Sequence, residues 1–117
     1  MLIGELARQT GLTPPTIRFY EKKGLLDARH MTRMNNNYKE YNATALERLH
    51  GVSKAKRAGF TLSETVKLFR DWDTLDPGEQ RGLLLDKIRQ IKQRAGELEK
   101  MEMQLTEKLA LLEERDR

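Results

Sequence analysis

Apolar residues in the first 75 positions recur at helical spacing in four short stretches that are separated by turn residues. Gly11, Gly24 and Gly59 follow the first three stretches, at the place where a helix often ends on a left-handed residue. Thr13 and Pro14 together form a typical helix start, because threonine caps the first turn and proline fits the first helical position. We therefore predict helices over residues 4–10, 14–23 and 43–58, and a fourth helix that begins at residue 62 and has Trp72 near its end.

Three further helix starts carry recognisable capping residues. Asn42 can cap the third helix, and Thr61 with Glu64 forms a capping box for the fourth. Asp76 and Pro77 repeat the pattern for a fifth helix, which nothing interrupts until about residue 113. At 1.5 Å per residue this helix would be about 55 Å long, which is longer than a small domain is wide.

The segment between the second and third helices breaks the helical pattern. Three asparagines at residues 35–37 separate a short run, 31–33, from the alternating run 38–41. Since asparagine tolerates positive φ, we predict a β-hairpin that turns at these asparagines. The first two helices, joined by residues 11–13, have the size and turn of a helix-turn-helix, although this pattern alone is a weak signal.

The long fifth helix carries a heptad pattern that one helix cannot bury by itself. Glu102 is the one charged residue at a seam position. We predict that the helix pairs with its copy in a dimer; the alternatives are a bundle within one chain and an isolated charged helix. Charges beside the seam leave the orientation of the two helices open. The predicted dimerisation residues are Leu84, Ile88, Ile91, Ala95, Leu98, Leu105, Leu109 and Leu112.

Composition narrows the class of protein. A chain of 117 residues with 34% charged and 38% hydrophobic residues fits one soluble domain with an appendage. It has no cysteine, which excludes disulfides, thiolate metal sites and iron–sulfur clusters. No signal peptide or membrane helix is visible, so we expect a cytoplasmic protein.

Charge is distributed unevenly along the chain. Residues 1–60 hold 11 Lys and Arg against 5 Asp and Glu, whereas residues 61–117 hold 11 against 13. A polyanion such as DNA should therefore meet the first half, unless these cations merely solvate the surface.

Neither catalysis nor metal binding is indicated. We find no nucleophile with a base, no paired acids and no phosphate-binding glycine loop, so we expect no enzyme and no cofactor. His30 and His50 have no second ligand at a suitable spacing, and we expect both at the surface or beside phosphate. The alternative to a DNA-binding regulator is a dimeric adaptor or antirepressor that binds DNA only weakly.

Six sequence strings precede the heptad helix in a fixed order and spacing: residues 3–7, 11–13, 17–21, 24–26, 38–41 and 58–62. Together with that helix, they resemble the corresponding strings of MerR-type transcriptional regulators. The resemblance implies a mainly α-helical winged helix-turn-helix domain, four helices and a hairpin wing, over residues 1–75, and a dimerisation coiled coil over residues 76–117. It also implies an antiparallel homodimer on an inverted repeat, which distorts an overlong promoter spacer so that RNA polymerase engages both promoter elements.

The resemblance also implies which residues contact DNA. Arg18 would reach base edges or phosphate and Tyr20 would bind phosphate through its hydroxyl, which suits the chemistry of both side chains. Tyr38 and Lys39 match the positions of wing residues that contact the DNA backbone, and Arg33 lies on the opposite strand of the wing. Tyr20 as core and Arg33 as a solvated side chain are the alternatives.

The start of the second helix departs from the family pattern. Pro14 and Pro15 stand where related proteins usually place polar side chains that reach bases. We therefore expect direct readout to fall on Thr13, Thr16 and Arg18, with DNA shape contributing the rest of the specificity.

An inducer site is poorly marked. Family members normally bind inducer just beyond the dimerisation helix, in a cysteine-bearing loop or an added domain, and without cysteine we expect no thiolate sensing of metals. Phe69 and Trp72 are candidates for an apolar effector pocket. The alternative is that both are core residues.

Overall fold

The computed structural model describes residues 1–116, which form five α-helices, a 3-10 turn and one antiparallel pair of strands. In chain order these are α1 (Ile3–Thr10), α2 (Pro14–Lys22), β1 (Met31–Arg33), β2 (Lys39–Tyr41), α3 (Ala43–Arg57), α4 (Leu62–Phe69), the 3-10 turn (Trp72–Thr74) and α5 (Pro77–Arg115). The predicted mainly helical fold, with a hairpin wing and a long C-terminal helix, is confirmed. Over the residues described, no helix combines the length and the apolar character that crossing a membrane requires.

Local capping bonds explain why the helices begin where the sequence predicts. The Asn42 side chain accepts hydrogen bonds from the backbone N–H groups of residues 44 and 45. Thr61 and Glu64 form both bonds of a capping box, at 3.1 Å and 2.9 Å. At α5, the backbone N–H of Glu79 donates to Asp76 Oδ1 at 2.8 Å. These bonds satisfy amide groups that a helix end otherwise leaves unpaired.

The wing is a short hairpin with a tight turn. Its register places Met31 opposite Tyr41 and Arg33 opposite Lys39. Asn37 has a φ of 69°, the left-handed conformation that asparagine accepts more readily than most residues. The predicted turn at the three asparagines is therefore present.

The chain divides into two compact units, residues 1–80 and residues from 81 onward. In the first unit, one core joins α1, α2, β2 and α3. Its fully buried members include Leu6, Ile17, Leu25, Leu49 and Val52. At about 25 cal/mol for each Å² of apolar surface removed from water, this core stabilises the unit. It also fixes α2 and the wing on one scaffold. The predicted domain boundary after residue 75 remains a prediction.

The fourth helix ends before Trp72, which we predicted to lie near the end of this helix. α4 ends at Phe69, and the backbone N–H groups of residues 70 and 71 both donate to Val66 O. The bond from residue 71 spans five residues where an α-helical bond spans four, so the helical pattern stops here and Trp72 begins a separate 3-10 turn. Thr65, which no apolar pattern selects, is fully buried in α4, and its hydroxyl donates to Thr61 O at 2.8 Å.

The second unit is the continuation of α5. The whole helix contains 39 residues and is therefore about 58 Å long. Most of its large apolar side chains stay exposed, from 41% for Leu84 to 69% for Leu105. Leucines and isoleucines at heptad spacing thus face solvent along most of this unit.

Candidate nucleic-acid interface

The second helix begins with a closed polar turn. Thr13 is its N-cap, with Oγ1 accepting from the backbone N–H of Thr16 at 3.3 Å, and the two hydroxyls lie 2.9 Å apart. Pro14 and Pro15 occupy the first two helical positions, where no helical N–H partner is lost. The two threonines predicted to contact bases therefore already hydrogen-bond to each other.

The C-terminal end of α2 is held by Arg70, the residue that follows α4. Gly24 has a φ of 81°, and the backbone N–H of Leu25 donates to Tyr20 O at 3.0 Å, as in a Schellman motif. Arg70 Nη1 donates to Lys23 O at 3.0 Å. A Cβ at Gly24 would lie only 2.5 Å from Arg70 Cδ. Both ends of the helix are thus defined by side-chain contacts.

Burial divides α2 into an inner and an outer face. Ile17 and Tyr20 are buried, whereas Arg18, Phe19 and Lys22 are exposed. The outer face therefore carries two cations and one aromatic ring, which is 44% exposed. Such a face suits the anionic major groove, where an arginine fork can bind guanine or phosphate.

A surface groove of about 760 Å³ brings Arg18 together with two predicted wing residues, Tyr38 and Lys39. It lies between the start of α1, the outer part of α2 and the wing. The remaining lining residues are Leu2, Ile3, Gly4, Glu5, Glu21, Asn37 and Tyr41. Three of the seven residues predicted to bind DNA thus come from two elements and share one concave surface.

Lys39 has a protein partner at the base of this groove. Its ammonium group donates to Glu21 Oε2, while the Tyr41 hydroxyl donates to Glu21 Oε1 at 3.2 Å. Burial, together with the Glu21 charge, raises the pKa of Tyr41 to about 12, so this phenol stays a donor at neutral pH. Lys39 would have to exchange Glu21 for a phosphate on binding DNA.

The outer part of the wing is more exposed. Tyr38 is 63% exposed, close to the turn. Arg33 Nη1 donates to Asn37 Oδ1 at 2.6 Å, which ties the guanidinium to the tip of the hairpin. Arg33 does not line the groove of Arg18 and lies instead in a second depression beside Lys39.

The predicted phosphate contact Tyr20 lies in the core. It is only 4% exposed, and its hydroxyl accepts a hydrogen bond from Lys56 Nζ at 3.1 Å. The Lys56 ammonium also lies 5.6 Å from the centre of the Tyr20 ring. Lys56 is a cation that sequence reasoning missed, although a basic last turn of α3 marked it: Lys54, Lys56 and Arg57. A DNA contact by Tyr20 remains a prediction.

One histidine prediction is wrong. His30 is buried, not at the surface, and its Nδ1 accepts from the backbone N–H of Asp27 at 3.0 Å. Burial lowers the pKa of His30, and the nearby Asp27 carboxylate partly opposes this shift. His50 is exposed, as predicted.

The two candidate pocket residues lie at the end of the first unit. Phe69 packs on the core, and the Arg48 guanidinium lies 5.5 Å from its ring centre and donates to Phe69 O at 3.0 Å. Trp72 is half-buried in the 3-10 turn. An effector pocket at these residues remains a prediction. Within residues 1–116, no three His, Asp or Glu side chains are grouped so that they could hold a metal ion.

Comparison with known proteins identifies the family. Residues 1–72 match the model of the MerR HTH family regulatory proteins, and residues 46–108 match the model described as MerR, DNA binding. The chain is 35% identical to the HTH-type transcriptional regulator CueR of Yersinia pestis over 116 residues, covering 97% of this chain and 80% of that protein.

Two further proteins give the same result. The HTH-type transcriptional regulator ZntR of Escherichia coli (strain K12) is 31% identical, over 88% of this chain and 74% of that protein. The transcription regulator PbrR691 of Ralstonia metallidurans CH34, whose structure is a complex with lead(II), is 32% identical with a TM-score of 0.64, over 92% of this chain and 84% of that chain. These relatives are transcriptional regulators, not enzymes. The chain therefore belongs to the MerR family of HTH-type, DNA-binding transcriptional regulators.

Proposed function

We propose that this protein is a sequence-specific regulator that binds an inverted-repeat operator in a promoter as a homodimer. Residues 1–75 contact double-stranded DNA and residues 76–117 hold the two copies together. The bound dimer distorts the promoter spacer and so acts on RNA polymerase through the DNA, in the cytoplasm.

The observation that carries this proposal is the groove shared by Arg18 of α2 and by Tyr38 and Lys39 of the wing. In helix-turn-helix proteins the second helix reads the major groove, while flanking contacts to phosphate fix its register. An arginine on the outer face of α2, beside a lysine and a phenol of the wing, supplies both kinds of contact from one surface.

Readout of bases should be concentrated on Arg18. The hydroxyls of Thr13 and Thr16 are bonded to each other, and two prolines fill the first turn. With few other polar groups at this end of α2, part of the specificity has to come from the deformability of the DNA. A regulator that distorts its promoter spacer is expected to depend on such indirect readout.

The homodimer is supported by the exposed heptad seam of α5. Leu98 is 58% exposed and Leu105 is 69% exposed, and both are surrounded by further exposed apolar residues. Contiguous apolar surface of this kind marks an interaction site in a soluble protein. A second copy supplies a complementary seam of the same length.

The proposal is tested by selecting DNA fragments and then removing one guanidinium. Purified protein is incubated with sheared genomic DNA from its source, and the bound fragments are sequenced to obtain an operator. Arg18→Ala should lose about 1–3 kcal/mol of discrimination for that operator and keep its oligomeric state. Arg89→Ala removes an exposed arginine of α5 and serves as the matched control.

Two results would contradict the proposal. Recovery of DNA without any common sequence would favour the weakly binding adaptor. An Arg18→Ala protein with unchanged operator affinity would remove α2 as the reading helix.

A further inference from the structure

The exposed seam of α5 contains a feature that dimerisation alone does not explain. Glu102 occupies an inner seam position, between Leu98 and Leu105, where a coiled coil prefers an apolar side chain. Glu99 lies about one helical turn before Glu102, at a position beside the seam. Lys92 lies about two turns before Glu99, on the same side of the seam. All three side chains are exposed in the single chain.

A parallel pairing places each seam residue opposite its own counterpart. Glu102 would then face Glu102 of the second copy, and two carboxylates inside a seam repel each other while losing solvent. Ala95 would face Ala95 of the second copy and leave a space, which removes packing contacts. Both layers argue against the parallel orientation.

Three antiparallel registers align the heptads over about two thirds or more of residues 81–116 and also give Ile88 a partner in the seam. They differ in the residue of the second copy that faces Ile88, which is Leu98, Leu105 or Leu112. Each shift moves one helix by seven residues, or about 10 Å.

Two kinds of position flank the seam. Lys92 and Glu99 are of one kind, and Arg94 and Lys108 are of the other. In an antiparallel coil each kind faces its own kind on the second copy, so the charges at these positions distinguish the registers.

Charge excludes the register in which Ile88 faces Leu112. Glu99 would meet Glu99 of the second copy, and Arg94 would meet Lys108 of the second copy. Like charges on facing positions destabilise such a pair. Glu102 would also lie beside Glu99 of the second copy, which adds to the repulsion.

The register in which Ile88 faces Leu98 fails for two reasons. Lys92 would meet Lys92 of the second copy, and Arg94 would meet Arg94 of the second copy. In addition, Leu109 and Leu112 would extend beyond the paired part of residues 81–116 and keep their exposed fractions of 55% and 48%.

We propose that α5 pairs with a second copy in the remaining antiparallel register, with Ile88 facing Leu105 and Ala95 facing Leu98 of that copy. Lys92 then lies between Glu99 and Glu102 of the second copy, and symmetry repeats this contact. Glu102 faces Ile91 of the second copy and gains a cation at the seam edge. Position 87 is the one place where this register sets a lysine opposite a lysine, Lys108 of the second copy, and Lys87 is buried in its own chain, where it donates to Gln90 Oε1 at 2.8 Å.

This register rests on the proposed homodimer. It adds the geometry of the pairing and a reason why the chain would select an identical partner. A small Ala95 opposes a large Leu98, so the central layers fill evenly. A relative with the same apolar seam but a different residue at position 92 would lack the pairing with the two acids. The charges thus favour pairing with an identical chain.

The natural absence of cysteine makes the register directly measurable. Size-tagged Ile88→Cys protein is mixed in turn with untagged Leu98→Cys, Leu105→Cys and Leu112→Cys proteins and oxidised, and disulfides joining tagged to untagged copies are scored. A disulfide requires Cα atoms within about 7 Å, so only the correctly facing residue reacts efficiently. We expect the Leu105→Cys mixture to give the main cross-linked product.

The other outcomes distinguish a failure of this register from a failure of the proposed homodimer. Efficient linkage of Ile88→Cys to itself would establish a parallel coil, and a main product with Leu98→Cys or Leu112→Cys would establish another register; either overturns this inference and leaves the homodimer standing. Sedimentation of the wild-type protein as a monomer would instead contradict the proposed function. A wild-type dimer with no linked product in any mixture would show that the seam lies elsewhere.

A charge reversal gives a second, independent measurement. Lys92→Glu should raise the dissociation constant of the dimer by about tenfold, because two attractive contacts become repulsive in each half. In a parallel coil the same change would not weaken the dimer, because position 92 would then face position 87 of the second copy, which is a lysine, and not the two acids. Lys100→Glu makes the same charge change on the outer face of α5 and should leave the constant near the wild-type value.

A complementary pair of charge reversals should restore the attraction and completes the test. Mixing Lys92→Glu protein with Glu99→Lys/Glu102→Lys protein should form heterodimers in preference to either homodimer, because every contact then joins opposite charges. A random mixture of the three dimers would overturn the assigned contact.

Discussion

Leu49 and Leu98 have the same side chain, but the two side chains differ in how far they are buried. Leu49 of α3 is fully buried, as are its core neighbours in residues 1–80, whereas Leu98 of α5 is 58% exposed. The first unit obtains its packing from elements of the same chain. The second unit is one helix, and it has to obtain the corresponding contacts from another molecule. Stability of the first should therefore be independent of protein concentration, and stability of the second should depend on it.

The largest expected effect is at the seam. Leu98→Asp places an unpaired charge between the two helices, which costs about 3–5 kcal/mol, and the dimer should dissociate at micromolar concentration. Sedimentation velocity measures this directly. Gln93→Asp, at a polar position off the seam, is the control. A Leu98→Asp protein that still sediments as a dimer would contradict our placement of the seam.

A substitution in the hydrophobic core tests the first unit, residues 1–80. Leu49→Ala should lower the free energy of unfolding of residues 1–80 by about 2–5 kcal/mol, because it leaves a cavity among α1, α2 and α3. Urea unfolding followed at several protein concentrations measures it, and the shift for this unit should be the same at each. A shift that varies with concentration would mean that the first unit also depends on the partner.

The next effect concerns the cation that the wing shares with α2. If Lys39 exchanges Glu21 for a phosphate, Lys39→Ala should weaken binding to all DNA sequences and lower the slope of log affinity against log salt by about 1. Fluorescence anisotropy over a salt series measures the slope. Lys100→Ala, in the second unit, should keep the wild-type slope. An unchanged slope for Lys39→Ala would indicate that the ion pair with Glu21 persists on DNA.

The smallest effect concerns pH and should be confined to the first unit. His30 is neutral in the folded state because burial lowers its pKa, and it regains its ordinary pKa of about 6.5 on unfolding. Its contribution to stability is therefore complete above about pH 6.5 and is lost as the pH falls through the lowered folded value. Protonation also removes the Nδ1 acceptor of the Asp27 N–H bond.

His30→Asn keeps an acceptor near the Nδ1 position and removes the titration. Urea unfolding between about pH 7.5 and about pH 5 should show a flatter decline for this variant than for the wild type. His50→Asn, which changes an exposed histidine, should follow the wild-type curve. Parallel declines for His30→Asn and wild type would show that this imidazole does not contribute to acid sensitivity.

Sequence reasoning succeeded where the causes are local. The Asn42 cap, the capping box at Thr61 and the positive φ of Asn37 each depend on residues within a few positions. Heptad spacing likewise predicted the exposed seam of α5. The end of α4 was missed because the choice between a continued helix and a 3-10 turn depends on small differences in hydrogen bonding at residues 70 and 71.

Contacts between distant residues could not be predicted from periodicity. Lys56 reaches the Tyr20 hydroxyl across 36 positions, and the Lys39–Glu21 ion pair spans 18. These contacts decide which cations of the predicted DNA surface already have protein partners. Arg18 and Tyr38 came from the family resemblance, and their common groove became visible only when the wing and α2 were placed on one core.

The contact between Gly24 and Arg70 constrains the order in which these two positions can change during evolution. A side chain at position 24 meets two obstacles, the left-handed φ and the Arg70 Cδ that would lie 2.5 Å from its Cβ. Shortening residue 70 removes the second obstacle but leaves the first. Position 70 can therefore vary while position 24 stays glycine, at the cost of the bond to Lys23 O. The reverse order would need the Arg70 side chain to move and a new residue that accepts the left-handed φ, so lineages of this family that lose the arginine should still retain the glycine.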